Sequence, residues 1–247
     1  MRIDTLTALL ATVTLTALPA LADVILVNDT FSDGGNPGYT LSPSGGGTVS
    51  VATSGTDLTG NALLLSTTSS NRMAIRSLGS SIALANTGDY IELALDYRFA
   101  ATLNDPFGAT VALTGTGGVG AGVNFNPTAG TNQGTYFANP DTNAGRFTAI
   151  DSATTAHSLT LRITRVSDTE VRLTSSFDGS PRADSNLEVI GTDISAILTF
   201  DGLVVGWVSG NNGDVYYDNI LVSTNVPEPA SLALLGLATL CLLPRRR

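Results

Sequence analysis

Apolar and polar residues alternate with a period of two along several stretches between residues 23 and 226, and no long stretch carries a 3.6-residue period. In YIELALDYRF (90–99), Ile91, Leu93, Leu95, Tyr97 and Phe99 share one face, while Glu92, Asp96 and Arg98 take the other. From His157 to Val166, Leu159, Leu161 and Ile163 alternate with Thr160, Arg162 and Thr164. From Thr169 to Phe177, Val171, Leu173 and Phe177 alternate with Arg172 and Thr174. Ser167-Asp168-Thr169 separates these two runs as a hairpin loop. Pairing Val166 with Glu170 sets Ile163 opposite Leu173 and Leu159 opposite Phe177, so one register buries both apolar sets.

Further strands are predicted at 23–27, 48–53, 62–67, 72–78, 107–113, 120–125, 203–208 and 214–223, with a helical turn near 193–198. Gly- and Asn-rich turns punctuate them at 45–47, 116–118 and 210–213. Roughly a dozen short strands, apolar on one face and bounded by loops, predict an all-β fold, an antiparallel two-sheet β-sandwich. With no internal repeat and no linker, residues 23–225 count as one domain.

The two ends follow other rules. Residues 1–22 carry Arg2, an apolar run over about 6–18 and the small-x-small site Ala20-Leu21-Ala22, which reads as a signal helix cut by signal peptidase before Asp23. Asp4 is unusual in such a leader. At the other end, Pro227-Glu228-Pro229 precedes an apolar run over 230–243, then Pro244 and Arg245-Arg246-Arg247. The prolines block a helix from entering upstream, and the arginines hold the end of a short transmembrane helix on the cytoplasmic side. Fourteen apolar residues span about 21 Å, short of the roughly 30 Å hydrocarbon core.

The tail, as V-P-E-P, a short Leu/Ala/Gly-rich helix and a terminal Arg cluster, resembles the PEP-CTERM sorting signal. That resemblance, over residues 226–247, implies recognition by an exosortase, a membrane-embedded cysteine transpeptidase that cuts near Pro227-Glu228-Pro229. A short span suits a tail that crosses only until it is cut. The domain ahead of it is similar to the concanavalin A-like and laminin G-like jelly rolls. The similarity rests on the opening strand with Asp29-Thr30-Phe31-Ser32-Asp33, the HSLTLRITR/EVRLTSSFDG hairpin and the closing DVYYDNILV.

Charge sharpens the picture. The chain holds 26 Gly, 12 basic residues that are all Arg, 21 acidic residues and one His, for a net charge of -9. Leader and tail contribute zero and +2, so residues 23–226 hold 8 Arg against 19 acids, a net of -11. Nucleic acid demands a basic face and is excluded as a partner. The single cysteine, Cys241, lies in the tail, so the exported domain forms no disulfide.

Candidate chemistry is sparse. Gly115-Thr116-Gly117-Gly118-Val119-Gly120 satisfies G-x-G-x-x-G, but AGVNFNPTAG follows where a phosphate-binding helix would have to start. The glutamates Glu92, Glu170, Glu188 and Glu228 lack the E-x-D-x-E spacing of jelly-roll glycosidases, although Glu92 and Asp96 share a face. No G-x-S-x-G elbow is present, and His157 reads as a plain surface or edge residue. No enzyme is expected.

Asp29, Asp33, Asp214 and Asp218 bracket the first and last strands, and Asp29 and Asp218 are the candidate calcium ligands. Trp207 alternates with Leu203 and Val205 and reads as core. Tyr136-Phe137 and Tyr216-Tyr217 each place one ring on each face, which makes Tyr136 and Tyr216 the candidate glycan contacts. The sequence thus predicts an exported cell-envelope or extracellular-matrix protein, structural or adhesive, touching extracellular polysaccharide. The alternatives are a jelly-roll glycan hydrolase and an inert structural module.

Overall fold

A computed structural model describes residues 23–42, 46–55, 58, 60–67, 72–100, 109–115, 120–125, 134–138, 141–144, 155–181, 187–190, 198–207 and 213–227. The leader with Ala20 and Ala22, the proposed turn at 193–198 apart from Leu198, and the tail from Glu228 to Arg247 lie outside the described residues. Among the described residues no helix is long and apolar enough to cross a membrane.

Among the described residues sixteen strands run in chain order. They are β1 (Val24–Asp29), β2 (Thr40–Ser42), β3 (Gly47–Thr53), β4 (Asn61–Thr67), β5 (Met73–Ala83), β6 (Tyr90–Phe99), β7 (Ala109–Thr114) and β8 (Gly120–Phe125). The others are β9 (Gly134–Ala138), β10 (Asp141–Ala144), β11 (His157–Arg165), β12 (Glu170–Phe177), β13 (Ser180–Pro181), β14 (Leu187–Ile190), β15 (Thr199–Trp207) and β16 (Gly213–Thr224). All pairings are antiparallel. One nine-stranded sheet runs β13-β12-β11-β6-β16-β4-β3, with β1 also on β16 and β14 also on β12. A seven-stranded sheet runs β10-β9-β8-β7-β15-β5-β2. The chain is an all-β, two-sheet sandwich.

The expected hairpin forms in the expected register. Ile163 stands opposite Leu173, Leu159 opposite Phe177, and the Val166 amide donates to the Glu170 carbonyl at 2.9 Å. β6 continues that face: Ile91, Leu93 and Leu95 stand opposite Ile163, Leu161 and Leu159. These side chains join one core with Leu63, Leu65, Val111, Leu113, Phe200, Leu203 and Val205 from the other strands. Each fully buried Leu or Ile stabilises the fold by roughly 1.5–3 kcal/mol.

β16 solves a parity problem. Val215 and Tyr217 point inward at odd positions, whereas Ile220 and Val222 point inward at even ones. A bulge between Asp218 and Leu221 absorbs the extra residue, with Asn219 at φ 50°. Asparagine tolerates this left-handed backbone better than a branched residue does. The first half of β16 pairs with β4 and the second with β1 on the same edge, while β6 follows it on the other.

Five strands exceed the sequence expectation: β2, β9, β10, β13 and β14. They are two to five residues long, too short for a period to register. β15 and β5 also run longer than expected, with a bulge between Phe200 and Gly202 where they pair.

Candidate functional site

Because β6 buries its odd-numbered positions, Tyr90, Glu92, Ala94, Asp96 and Arg98 stand on the outer face of the nine-stranded sheet. The β6–β11 register places Arg162 opposite Glu92 and Thr160 opposite Ala94. β12 then brings Thr174 opposite Arg162 and Ser176 opposite Thr160. Glu92, Thr160, Arg162, Thr174, Ser175 and Ser176 line an open depression of about 280 Å³ on this face.

The depression has a charged wall and a hydroxyl floor. Arg162 Nε donates to Glu92 Oε2 at 2.6 Å, and its guanidinium lies 4.2 Å from the centre of the Tyr90 ring. Burial opposes the Arg162 charge, but the hydrogen bond and charge of Glu92 outweigh it and hold its pKa above the ordinary value. Tyr90 in turn donates its hydroxyl to Asp23 Oδ1 at 2.6 Å. That hydrogen bond, followed by burial and the Asp23 charge, pushes the phenol up. Thr160 Oγ1 and Ser176 Oγ share a hydrogen bond beside the pair. A neutralised ion pair, an aromatic ring and a row of hydroxyls together supply donors and acceptors on a nearly uncharged patch. That chemistry suits the hydroxyls of a sugar.

The candidate residues distribute as follows. Tyr216 faces outward with Arg98 over its ring at 5.8 Å, while its neighbour Tyr217 is buried, as the alternation predicted. Tyr216 stands opposite Arg98 across the β6–β16 ladder, on the same outer face as the depression. Tyr136 falls in β9 of the other sheet, and its side chain and that of Trp207 lie outside the described residues.

Asp29 and Asp218 sit on neighbouring strands but on opposite faces of the sheet. Asp29 stands opposite the core residue Ile220 and is buried. There it pairs with Arg76 and accepts the Tyr39 hydroxyl at 2.9 Å. Asp218 stands opposite Asp96 on the outer face. The two expected calcium ligands are therefore not brought together, and Asp29 is paired with Arg76. Asp33 accepts the Gly35 amide at 2.9 Å, a turn contact. Among the described residues no three His, Cys, Asp or Glu side chains converge.

Glu92 and Asp96 do share the outer face, but Glu92 is engaged by Arg162, and Asp96 Oδ2 accepts Asn219 Nδ2 at 2.7 Å. His157 is not an edge residue. β11 lies between β6 and β12, and the imidazole is 12% exposed. Its Nδ1 lies 2.8 Å from Asp178 Oδ2 and its ring 5.7 Å from the Tyr97 ring. This contact pins the far end of the hairpin. Sequence reasoning passed over Tyr90 and Arg162, because their meeting depends on β6 and β11 lying side by side across more than sixty residues of chain.

Pro227, half-buried, is the last described residue, three positions beyond β16. The stretch that begins at Asn225 decides what the end of the chain is. Residues 225–247 match the PEP-CTERM protein-sorting motif. The chain thus carries a PEP-CTERM tail on a two-sheet β-sandwich. Cellulose induced protein, Cip1, superposes with a TM-score of 0.57 at 16% identity, over 79% of this chain and 96% of its own. Lectin I from Ulex europaeus, solved with the methyl glycoside of α-L-fucose, gives 0.53 at 14%, over 82% and 98%. The carbohydrate esterase vb_24B_21 from Shiga toxin-encoding bacteriophage phi24B gives 0.50 at 19%, over 83% and 100%. At these identities the likeness is one of fold. No curated protein sequence matches the chain.

Proposed function

We propose that the PEP-CTERM chain is exported by its leader, cut by signal peptidase after Ala22, held in the membrane by its tail and then processed by an exosortase. The released sandwich serves at the cell envelope or outside it as an adhesive or structural component that contacts extracellular polysaccharide. Pro227, Glu228 and Pro229 are the recognition motif, and Arg245, Arg246 and Arg247 keep the tail from slipping across the bilayer before the cut.

The single observation that carries the polysaccharide reading is the Tyr90–Arg162–Glu92 strip beside the Thr160, Thr174 and Ser176 hydroxyls. Likeness of fold to a lectin supports it. The net charge of -11 over residues 23–226 turns the reading toward neutral glycans. Anionic polymers are repelled unless calcium bridges them to outer-face carboxylates such as Asp96.

A panel of neutral and uronic-acid polysaccharides, offered with calcium and with chelator, tests this. Neutral polymers bind in both conditions, and uronic polymers bind only with calcium. Binding of uronic polymers in chelator, with neutral ones ignored, contradicts the reading.

A further inference from the structure

Tyr90, the first residue of β6, holds both ends of the domain. Its hydroxyl donates to Asp23, the first residue after the leader. Its amide donates to Asn225 Oδ1 at 2.7 Å, and its carbonyl accepts the Thr224 hydroxyl at 2.6 Å. Asn225 Nδ2 also donates to the Gly88 carbonyl at 3.0 Å, and Thr224 Oγ1 accepts the Val226 amide at 3.1 Å. Val24 stands opposite Thr224 in the β1–β16 ladder, and Val226 packs against the core. Residues 224–226 are therefore tied down by side chain and backbone alike, and Pro227 of the sorting motif follows at once.

A peptidase that receives its substrate as an extended strand needs free backbone on both sides of the bond it cuts. Upstream of Pro227 that backbone is already committed to the fold. Cutting then requires local opening. Where opening and closing are fast relative to cutting, the rate follows the population of the open form.

We propose that Asn225 and Thr224 form a latch that keeps the segment ahead of the sorting motif closed, and that the sorting peptidase acts on molecules whose latch is open. The inference rests on the sorting reading above. It makes Asn225 and Thr224 positioning residues that set the rate of processing, and it links processing to completion of the fold. The latch exists only when the first strand, the last strand and the start of β6 have come together.

The test follows loss of the tail from the full chain by pulse-chase and intact mass, in membranes that hold the exosortase. Asn225→Ala removes both side-chain bonds, and Thr224→Val removes both hydroxyl bonds while keeping the branched shape. Each speeds the cut by at least about threefold, the effect of losing roughly one net hydrogen bond. A four-residue Gly-Ser insertion between Val226 and Pro227 leaves the latch intact but supplies free chain, and it speeds the cut as well. Replacing Pro227, Glu228 and Pro229 by alanine is the control for the sorting reading itself, and uncut precursor is expected. If that control is still cut at the wild-type rate, the sorting reading fails. If the control is uncut while the two point variants and the insertion are cut no faster than wild type, the latch is overturned.

Discussion

Asp29 on the nine-stranded sheet and Arg76 on the seven-stranded sheet form an ion pair across the interior of the sandwich, and Tyr39 donates its hydroxyl to the same carboxylate. The Asp29 side chain is 6% exposed and that of Arg76 is 19% exposed. Burial holds the Arg76 pKa below its ordinary value and pushes the Tyr39 phenol far up. The pair fastens β1 and the loop carrying Phe31 and Tyr39 to the opposite sheet. Removing one partner strands the other charge out of water, which costs about 3–5 kcal/mol.

Asp29→Asn should therefore lower the unfolding free energy by about 3 kcal/mol, equally in calcium and in chelator. Chemical denaturation in the two buffers checks this. A loss confined to the calcium buffer would mean that Asp29 serves an ion rather than Arg76.

Asp218 responds to pH in the opposite sense from an ordinary paired carboxylate. Burial raises its pKa, the Asn219 amide opposes the shift, and the facing charge of Asp96 adds to it. The folded state then binds the proton more tightly than the unfolded chain does. Ionised Asp218 thus costs stability above its folded pKa, and the cost fades as pH falls toward 3.8. Asp218→Asn should be more stable than wild type at pH 7, with the gap closing on acidification. Urea midpoints between pH 4 and 8 report it, and a variant less stable at pH 7 contradicts the assignment.

The bulge at Asn219 makes two separable contributions. Its φ of 50° asks for Gly or Asn, and its amide ties β16 to Asp96. Asn219→Gly keeps the backbone and loses one hydrogen bond, costing about 1 kcal/mol. Asn219→Val adds a branched side chain in the left-handed region, for a total of about 2–4 kcal/mol. Equal losses in the two variants would show that the backbone there is not strained.

Much of this fold is legible in the sequence, and the reasons are local. The β11–β12 register follows from two period-two runs and a three-residue loop, and the outward set Glu92, Asp96 and Arg98 follows from the same parity. What the sequence hides depends on contacts distant along the chain. Alternation cannot show that Arg162 meets Glu92, that Asp29 faces another sheet, or that Asn219 shifts the parity of β16. Asp29 looked like a metal ligand because Asp at a strand end is common to turns, ion pairs and ion sites alike. The tail lies at the other extreme. Pro227-Glu228-Pro229, an apolar run and three arginines are contiguous, so the sorting motif is readable without any fold.

Polysaccharide contact by the Tyr90–Arg162–Glu92 strip on the outer face of the nine-stranded sheet, as proposed above, stands or falls on Arg162. Native affinity electrophoresis in gels containing a neutral glucan, mannan or galactan measures it most directly, comparing the wild-type chain with Arg162→Ala. At least one neutral polymer should retard the wild type, and Arg162→Ala should bind it about tenfold more weakly with its circular dichroism unchanged. Equal retardation of the two proteins by that polymer, or retardation of neither by any of the three, would contradict it.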